Sequence, residues 1–376
     1  MGKKHLYEIS FLRSFACLSI VFLHSIAWGM EHIQVMAHLP EIAQVILDSM
    51  NVFLYYGTPT FIFITAFILG YSYRDRENLS ATSFLLKRFK FILVPYLCMA
   101  VLYALPYTLL STEQFLLKVF LNAFIGDFHA YFVLIIFQFY FLFLIFKKWL
   151  DHGSLKQILG LSLIINIAYL AFFNFTSAPS LPFADYIWER YYWVPFPGWI
   201  FYFTLAYYIG TNYQWFKAML LRYKTWVIVA PLLSGALTLY LYHSGLLTTH
   251  SSKRIDIILH TFSIIVFVLY IALKLKSIPR FFIVVSDYSF GIYLLHTLFM
   301  SALILVIDTT AIDLGLLTFI ILFAGSTMAS MVSVHYLNKL KIGKYIVGKV
   351  NVKQRVKVDE PSTVRTRARS LFVNYK

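Results

Sequence analysis

Ten apolar blocks follow one another along the chain, separated by short polar stretches: residues 8–29, 48–71, 91–110, 130–147, 157–174, 194–212, 226–242, 255–273, 287–307 and 314–335. Each runs apolar for roughly 18–22 residues, enough for a helix to cross a hydrocarbon core of roughly 30 Å. None alternates apolar and polar residues, as the strands of a membrane barrel do. The pattern predicts an all-α polytopic membrane protein with about ten transmembrane helices. The blocks around 41–71 and 255–273 are the least clean. The first block follows Lys3 and Lys4, contains Arg13 and lacks a small-residue cleavage site. It is expected to be a retained first helix and not a cleaved signal peptide.

Composition agrees with this reading, because 60% of residues are hydrophobic and only 13% are charged, too few charges to cover a water-soluble fold. The net charge of +15 raises the question of a nucleic-acid partner. Its distribution argues against one. With the N-terminus placed inside, 27 of the 31 basic residues outside the spans fall on the inner side, and the outer loops hold only Lys118, Arg190, Lys253 and Arg254. A bias this large predicts cytoplasmic N- and C-termini, an even number of helices and the lipid bilayer, not nucleic acid, as the partner. The expected division is a membrane domain over 1–338 and a basic cytoplasmic tail over 339–376 that contains Pro361 and the series Arg365, Arg367 and Arg369. Cys17 and Cys98 lie in apolar blocks and are expected to be small buried hydrophobes, not a disulfide. The outer loops at 111–129 and 175–193 either cap a cavity or only connect helices. No internal repeat is evident.

Charge inside a membrane helix needs a partner or a job, which directs attention to three constellations. Arg13 and His24 are eleven residues apart, so they share one stripe of the first helix at an axial separation of about 16 Å. Either that stripe faces an internal cavity, or Arg13 snorkels to the inner headgroups while His24 bonds a neighbouring helix. Lys87, Arg88 and Lys90 lead into the third block. They serve either as positive-inside anchors or as a site for phosphates arriving from the cytosol. Ser289, Tyr293 and His296 fall on one helical face, as a packing network or as part of a site. No Gly-rich phosphate loop, HExxH, metal-spaced Cys/His cluster or GxSxG elbow is present, and no metal is expected.

Taken together in this order, the motifs resemble the acyltransferase-3 family of bacterial membrane acyltransferases. Within it they resemble the intercellular adhesion protein C branch, found with poly-N-acetylglucosamine synthesis. The opening Tyr7-Glu8-Ile9-Ser10-Phe11-Leu12-Arg13 followed after ten residues by His24 is similar to the family's Arg-ten-His motif. Gly57-Thr58-Pro59-Thr60-Phe61 resembles its second helix, Lys87-Arg88-Phe89-Lys90 with Pro95-Tyr96 its basic motif, Tyr131-Phe132-Val133 with Gln138-Phe139 its fourth helix, Gly198-Trp199 its sixth, and Ile292-Tyr293 with His296 a late helix. Two departures stand out: Lys90 where the family often has a second Arg, and Thr65-Ala66 where it often has Ser-Gly. No esterase-like domain follows the membrane part in this sequence, so a two-domain acyltransferase is not expected.

The resemblance implies transfer of an acyl group, acetyl or succinyl, from cytoplasmic acyl-CoA to a hydroxyl of a cell-surface or lipid-linked polysaccharide. It implies catalytic roles for His24, Arg13, Tyr293 and His296, and a donor-phosphate site at Arg88, Lys90 and Lys87. The acceptor is expected to be a polysaccharide or glycolipid, with a polysaccharide synthase as a further partner. The alternative from another class is an exporter of a poly-N-acetylglucosamine-type polysaccharide.

Overall fold

A computed structural model describes residues 6–31, 39–74, 76, 79–310 and 314–350. Lys3, Lys4, His32, His38 and the tail from 351, with its arginine series, lie outside the described residues. No strand occurs among the described residues.

Nine helices among them are long and apolar enough to cross a membrane. In chain order the spans are α1 (Tyr7–Glu31), α2 (Glu41–Tyr73), α3 (Ala81–Leu109), α4 (Phe132–His152, the end of a longer stretch from Thr112) and α5 (Leu155–Phe175). After the short α6 (Ile200–Thr211) come α7 (Lys224–His243), α8 (Asp256–Lys274), α9 (Arg280–Thr310) and α10 (Leu317–Leu337). The chain is therefore a multi-pass membrane protein.

α1 is the axle of the fold. It packs most extensively on α9, and also on α10, α8 and α2. In its most apolar stretch 72% of positions are buried, against 22% in α5 at the periphery. Leu12, Ala16, Val21 and Ile26 have no exposed surface. This explains why α1 tolerates Arg13, Ser14, Ser19 and His24: its neighbours are protein, not lipid. α2 and α6 approach backbone to backbone, because Gly70 and Gly210 face each other's helix. A Cβ at Gly70 would come within 2.2 Å of the Tyr207 carbonyl oxygen, and one at Gly210 within 2.3 Å of the Phe67 oxygen.

The sixth span differs from expectation. The apolar block 194–212 predicts a full crossing, but only twelve residues are α-helix, about 18 Å at 1.5 Å per residue. Pro195 and Pro197 lack N–H groups and leave the approach as a 3-10 turn over Phe196–Gly198. Irregular backbone at this depth persists only if protein groups satisfy it. Two side-chain amides do so. Asn166 of α5 donates to the Gly198 carbonyl at 2.9 Å and accepts from the Phe201 N–H at 3.2 Å. Gln138 of α4 donates to the Val194 carbonyl at 2.8 Å and accepts from the Phe196 N–H at 3.0 Å.

After α10 the chain turns back. The short helix Gly343–Ile346 packs on the Val94–Leu102 part of α3, and Tyr345 stacks on Phe91 with ring centroids 5.6 Å apart. Asn338 ties this segment down by donating to the Gly348 carbonyl and accepting from the Val350 N–H.

Replacing Asn166 by Leu leaves the Gly198 carbonyl and the Phe201 N–H without their side-chain partners. Each orphaned group costs about 1–3 kcal/mol. Thermal unfolding in detergent should show a clear loss of stability relative to wild type, whereas an equal unfolding midpoint would mean that lipid or water satisfies this backbone.

Candidate functional site

The site is built where α1, α9 and the turn before α4 meet in the outer half of the bundle. His24 Nδ1 lies 2.7 Å from His296 Nε2, and the two imidazoles are nearly coplanar, 3° apart. The proton positions follow from the next bonds outward. His296 Nδ1 lies 2.8 Å from the Tyr293 carbonyl and 3.1 Å from that of Ile292, and a carbonyl only accepts. His296 Nδ1 therefore carries hydrogen and its Nε2 is the acceptor. His24 Nδ1 must donate to it, which leaves the lone pair of His24 on Nε2. His296 is fully buried, whereas His24 is partly exposed and lines a cavity.

A third histidine joins the pair. His129 ends the outer loop before α4, with its ring centroid 5.2 Å from that of His296 and 6.5 Å from that of His24. Its Nε2 donates to the Tyr293 carbonyl at 3.0 Å, and its Nδ1 lies 3.1 Å from the Thr297 hydroxyl. Tyr293 returns the contact by donating its phenol to the His129 carbonyl. The Tyr293 backbone oxygen thus holds two of the histidines and its hydroxyl locks the turn that presents the third. Sequence reasoning missed His129. Its signal was weak: a polar residue ending an outer loop, 105 positions from His24 and 167 from His296.

The cavity has a volume of about 590 Å³. Its walls include Ile20, His24, Thr58, Tyr293 and Thr297 from the helices. Its rim takes Lys118, Asp127, Arg190, Trp193 and Lys253 from the outer loops. The loops at 111–129 and 175–193 therefore cap a cavity and do more than connect helices. Asp127 organises the rim: Lys118 donates a hydrogen bond to one carboxylate oxygen at 2.6 Å, and Arg190 forms an ion pair with the other at 2.9 Å.

Of the Arg13–His24 stripe, the His24 end meets the cavity. Arg13 has Asp287 of α9 and Tyr140 of α4 as electrostatic neighbours. It does not line the cavity, however. One or two turns inward from the lining, Cys17, Phe61, Phe132, Ile136 and Ser289 are all buried. Phe132 packs edge-on against Tyr293 with centroids 4.5 Å apart.

Arg88 joins Arg13 in a second, inner cluster. Its guanidinium lies 3.4 Å from the ring centroid of Phe84 and 4.7 Å from that of Tyr140, and it donates to the Phe84 carbonyl at 2.9 Å. Tyr140 is an electrostatic neighbour of both arginines. Lys87 and Lys90 do not converge on this point; both are exposed. Successive helical positions turn by about 100°, so Arg88 points inward and its neighbours do not. The backbone also widens into a π-turn over Phe89–Leu93, just before Pro95, whose ring cannot follow a regular α-turn. The third constellation divides as well: Tyr293 and His296 reach the site, while the Ser289 hydroxyl bonds back to the Ser286 carbonyl as packing.

Comparison with known proteins adds the following. A family profile described as an acyltransferase domain matches residues 6–335. A Bacillus subtilis (strain 168) protein named "Putative membrane-bound acyltransferase YfiQ" is 38% identical over 361 residues, covering 93% of this chain and 96% of its own. Proteins named "Probable poly-beta-1,6-N-acetyl-D-glucosamine export protein" are 28% identical in Staphylococcus epidermidis, covering 91% of this chain and 96% of theirs, and 27% identical in Staphylococcus aureus (strain Mu50 / ATCC 700699), covering 80% and 84%. No solved structure matches.

The substitution Asp127→Asn strips two half-buried cations of their shared carboxylate. It should destabilise the rim by about 1–3 kcal/mol. Limited proteolysis of the outer loops in intact membranes is the check: faster cleavage is expected, and an unchanged pattern would mean that Asp127 does not organise the rim.

Proposed function

We propose, on the premise that this chain belongs to the acyltransferase family whose domain profile covers residues 6–335, that it is an O-acyltransferase moving an acyl group from cytoplasmic acyl-CoA to a hydroxyl of a cell-surface or lipid-linked polysaccharide. The observation that carries this reading is the His24–His296 pair. A buried histidine whose own proton is engaged by backbone carbonyls orients a second histidine, whose free nitrogen belongs to a side chain lining a cavity. That is the arrangement a general base requires.

In the proposed reaction His24 Nε2 takes the proton of the acceptor hydroxyl as its oxygen attacks the thioester carbonyl. The carbon–sulfur bond then breaks, and the imidazolium returns the proton to the departing thiolate. His296 accepts the Nδ1–H bond throughout, so the ring keeps one tautomer and one orientation. Tyr293 acts as a positioning residue, because its hydroxyl is committed to the His129 carbonyl. Arg13 and Arg88 at the inner end are suited to the phosphates of acyl-CoA, with the exposed Lys87 and Lys90 adding charge at the surface. Phe61, Phe132 and Tyr293 pack on one another beside the cavity, and in this reading the donor arm passes them to reach His24. A polysaccharide synthase is the partner that would supply the acceptor.

The export reading has one specific support, the printed names of the staphylococcal relatives. The two readings separate on one measurement. Membranes carrying the protein are given radiolabelled acetyl- or succinyl-CoA and a glycan acceptor. Label in carbohydrate is expected from transfer, whereas unmodified glycan appearing on the far side of vesicles would establish export instead.

Two variants sharpen the test. His24→Ala should lower transfer by about 10²–10⁴-fold while the protein still inserts, the usual contribution of a positioned base. Transfer at the wild-type rate by that variant would falsify the role given to His24. Arg88→Ala should raise the KM for acyl-CoA by roughly tenfold, the equivalent of one charge-assisted contact, and leave the acceptor KM alone. A matched rise in both constants would show that Arg88 serves folding and not the donor.

A further inference from the structure

The cavity above His24 carries more positive charge than its acids balance. Lys118, Arg190 and Lys253 line it against a single lining carboxylate, Asp127, which is already shared by the first two. The adjacent Arg254 is fully buried and matched by Asp256 at 2.9 Å, so that acid is spoken for as well. Lys253 is only 4% exposed, and among the described residues no carboxylate pairs with it. Its ammonium rests 3.3 Å from the ring centroid of Trp193 and 4.7 Å from that of Tyr131.

Cation–π contacts of this kind offset only part of what it costs to bury an ion. Burial, and then the nearby Arg190 charge, push the Lys253 pKa well below the ordinary lysine range. The cavity that His24 also lines lies beside this cation.

We propose that Lys253, with Arg190 behind it, forms an anion subsite that takes a carboxylate carried by the substrate. This deepens the acyltransferase reading of the same cavity and rests on it. Two substrates present such a group. One is a dicarboxylic acyl chain whose free end meets Lys253 while its thioester carbonyl meets the acceptor hydroxyl. The other is an acidic sugar in the acceptor. A neutral acyl chain on a neutral glycan leaves Lys253 unmatched, and a free amino sugar is repelled.

The test uses the purified full-length chain in lipid nanodiscs as wild type, Lys253→Met and Lys253→Arg. Transfer is measured with acetyl-CoA and succinyl-CoA, each against a neutral N-acetylglucosamine oligomer and a uronic-acid oligomer. Calorimetric binding of free succinate and free glucuronate, at low and high salt, gives a readout that needs no turnover. Lys253→Met should lower kcat/KM by roughly 10–100-fold for the carboxylate-bearing combination. It should lower acetyl transfer to the neutral glycan by a clearly smaller factor, and Lys253→Arg should retain most of the activity. A loss confined to succinyl-CoA puts the carboxylate on the acyl chain, and one confined to the uronic acceptor puts it on the glycan. Free-anion binding that depends on Lys253, without transfer by any form, keeps the subsite and removes the acyltransferase reading. Equal losses across all four combinations, or free-anion affinity untouched by Lys253→Met, overturn the proposal. If Lys253→Met does not fold, wild-type affinity for both anions that is indifferent to salt overturns it too.

Discussion

Inside a bilayer a polar group must find its partner within the protein, and the contact between His24 and His296 is where this protein meets that constraint most consequentially. Neither imidazole is satisfied alone. His296 gives its hydrogen to a carbonyl of its own helix and offers its other nitrogen to α1, so one bond joins the central helix to α9 and fixes which nitrogen of His24 remains free. The packing of α1 on α9, the turn that brings in His129 and the position of the cavity all depend on that register.

The same constraint accounts for features far from the site. α6 is too short to cross the bilayer as helix, and Asn166 and Gln138 supply the backbone partners that regular structure would have provided. Gly70 and Gly210 let two backbones touch where side chains would hold them apart. These devices let the chain at 191–199 run irregularly and bring Trp193 to the cavity. Fold and site are coupled through this stretch, because the residues that break α6 are continuous with those that wall the pocket.

Two polar clusters on one seam, separated by a packed layer, give the molecule a division of labour. The inner cluster, with Arg13, Arg88 and Tyr140, is cationic and lies on the side where the chain concentrates its positive charge. The outer cluster is built from histidines under a rim of charged loop residues.

The sequence by itself determined the class and all but one of the spans, because length and apolarity measure directly against bilayer thickness. It also placed Arg13 and His24 on one stripe, since that relation is local to a single helix and follows from 3.6 residues per turn. The late-helix face with Tyr293 and His296 was legible for the same reason. The tertiary structure alone decided what lies across from each stripe. Helical periodicity states which way a side chain points and not which helix stands there, so the His24–His296 bond, the entry of His129 and the burial of Lys253 were out of reach. That Arg88 turns inward while Lys87 and Lys90 stay exposed is seen only against the neighbouring helices, as is the burial of Cys17, Phe61, Phe132 and Ser289 beside the cavity. Both depend on volumes that meet only when the bundle is assembled.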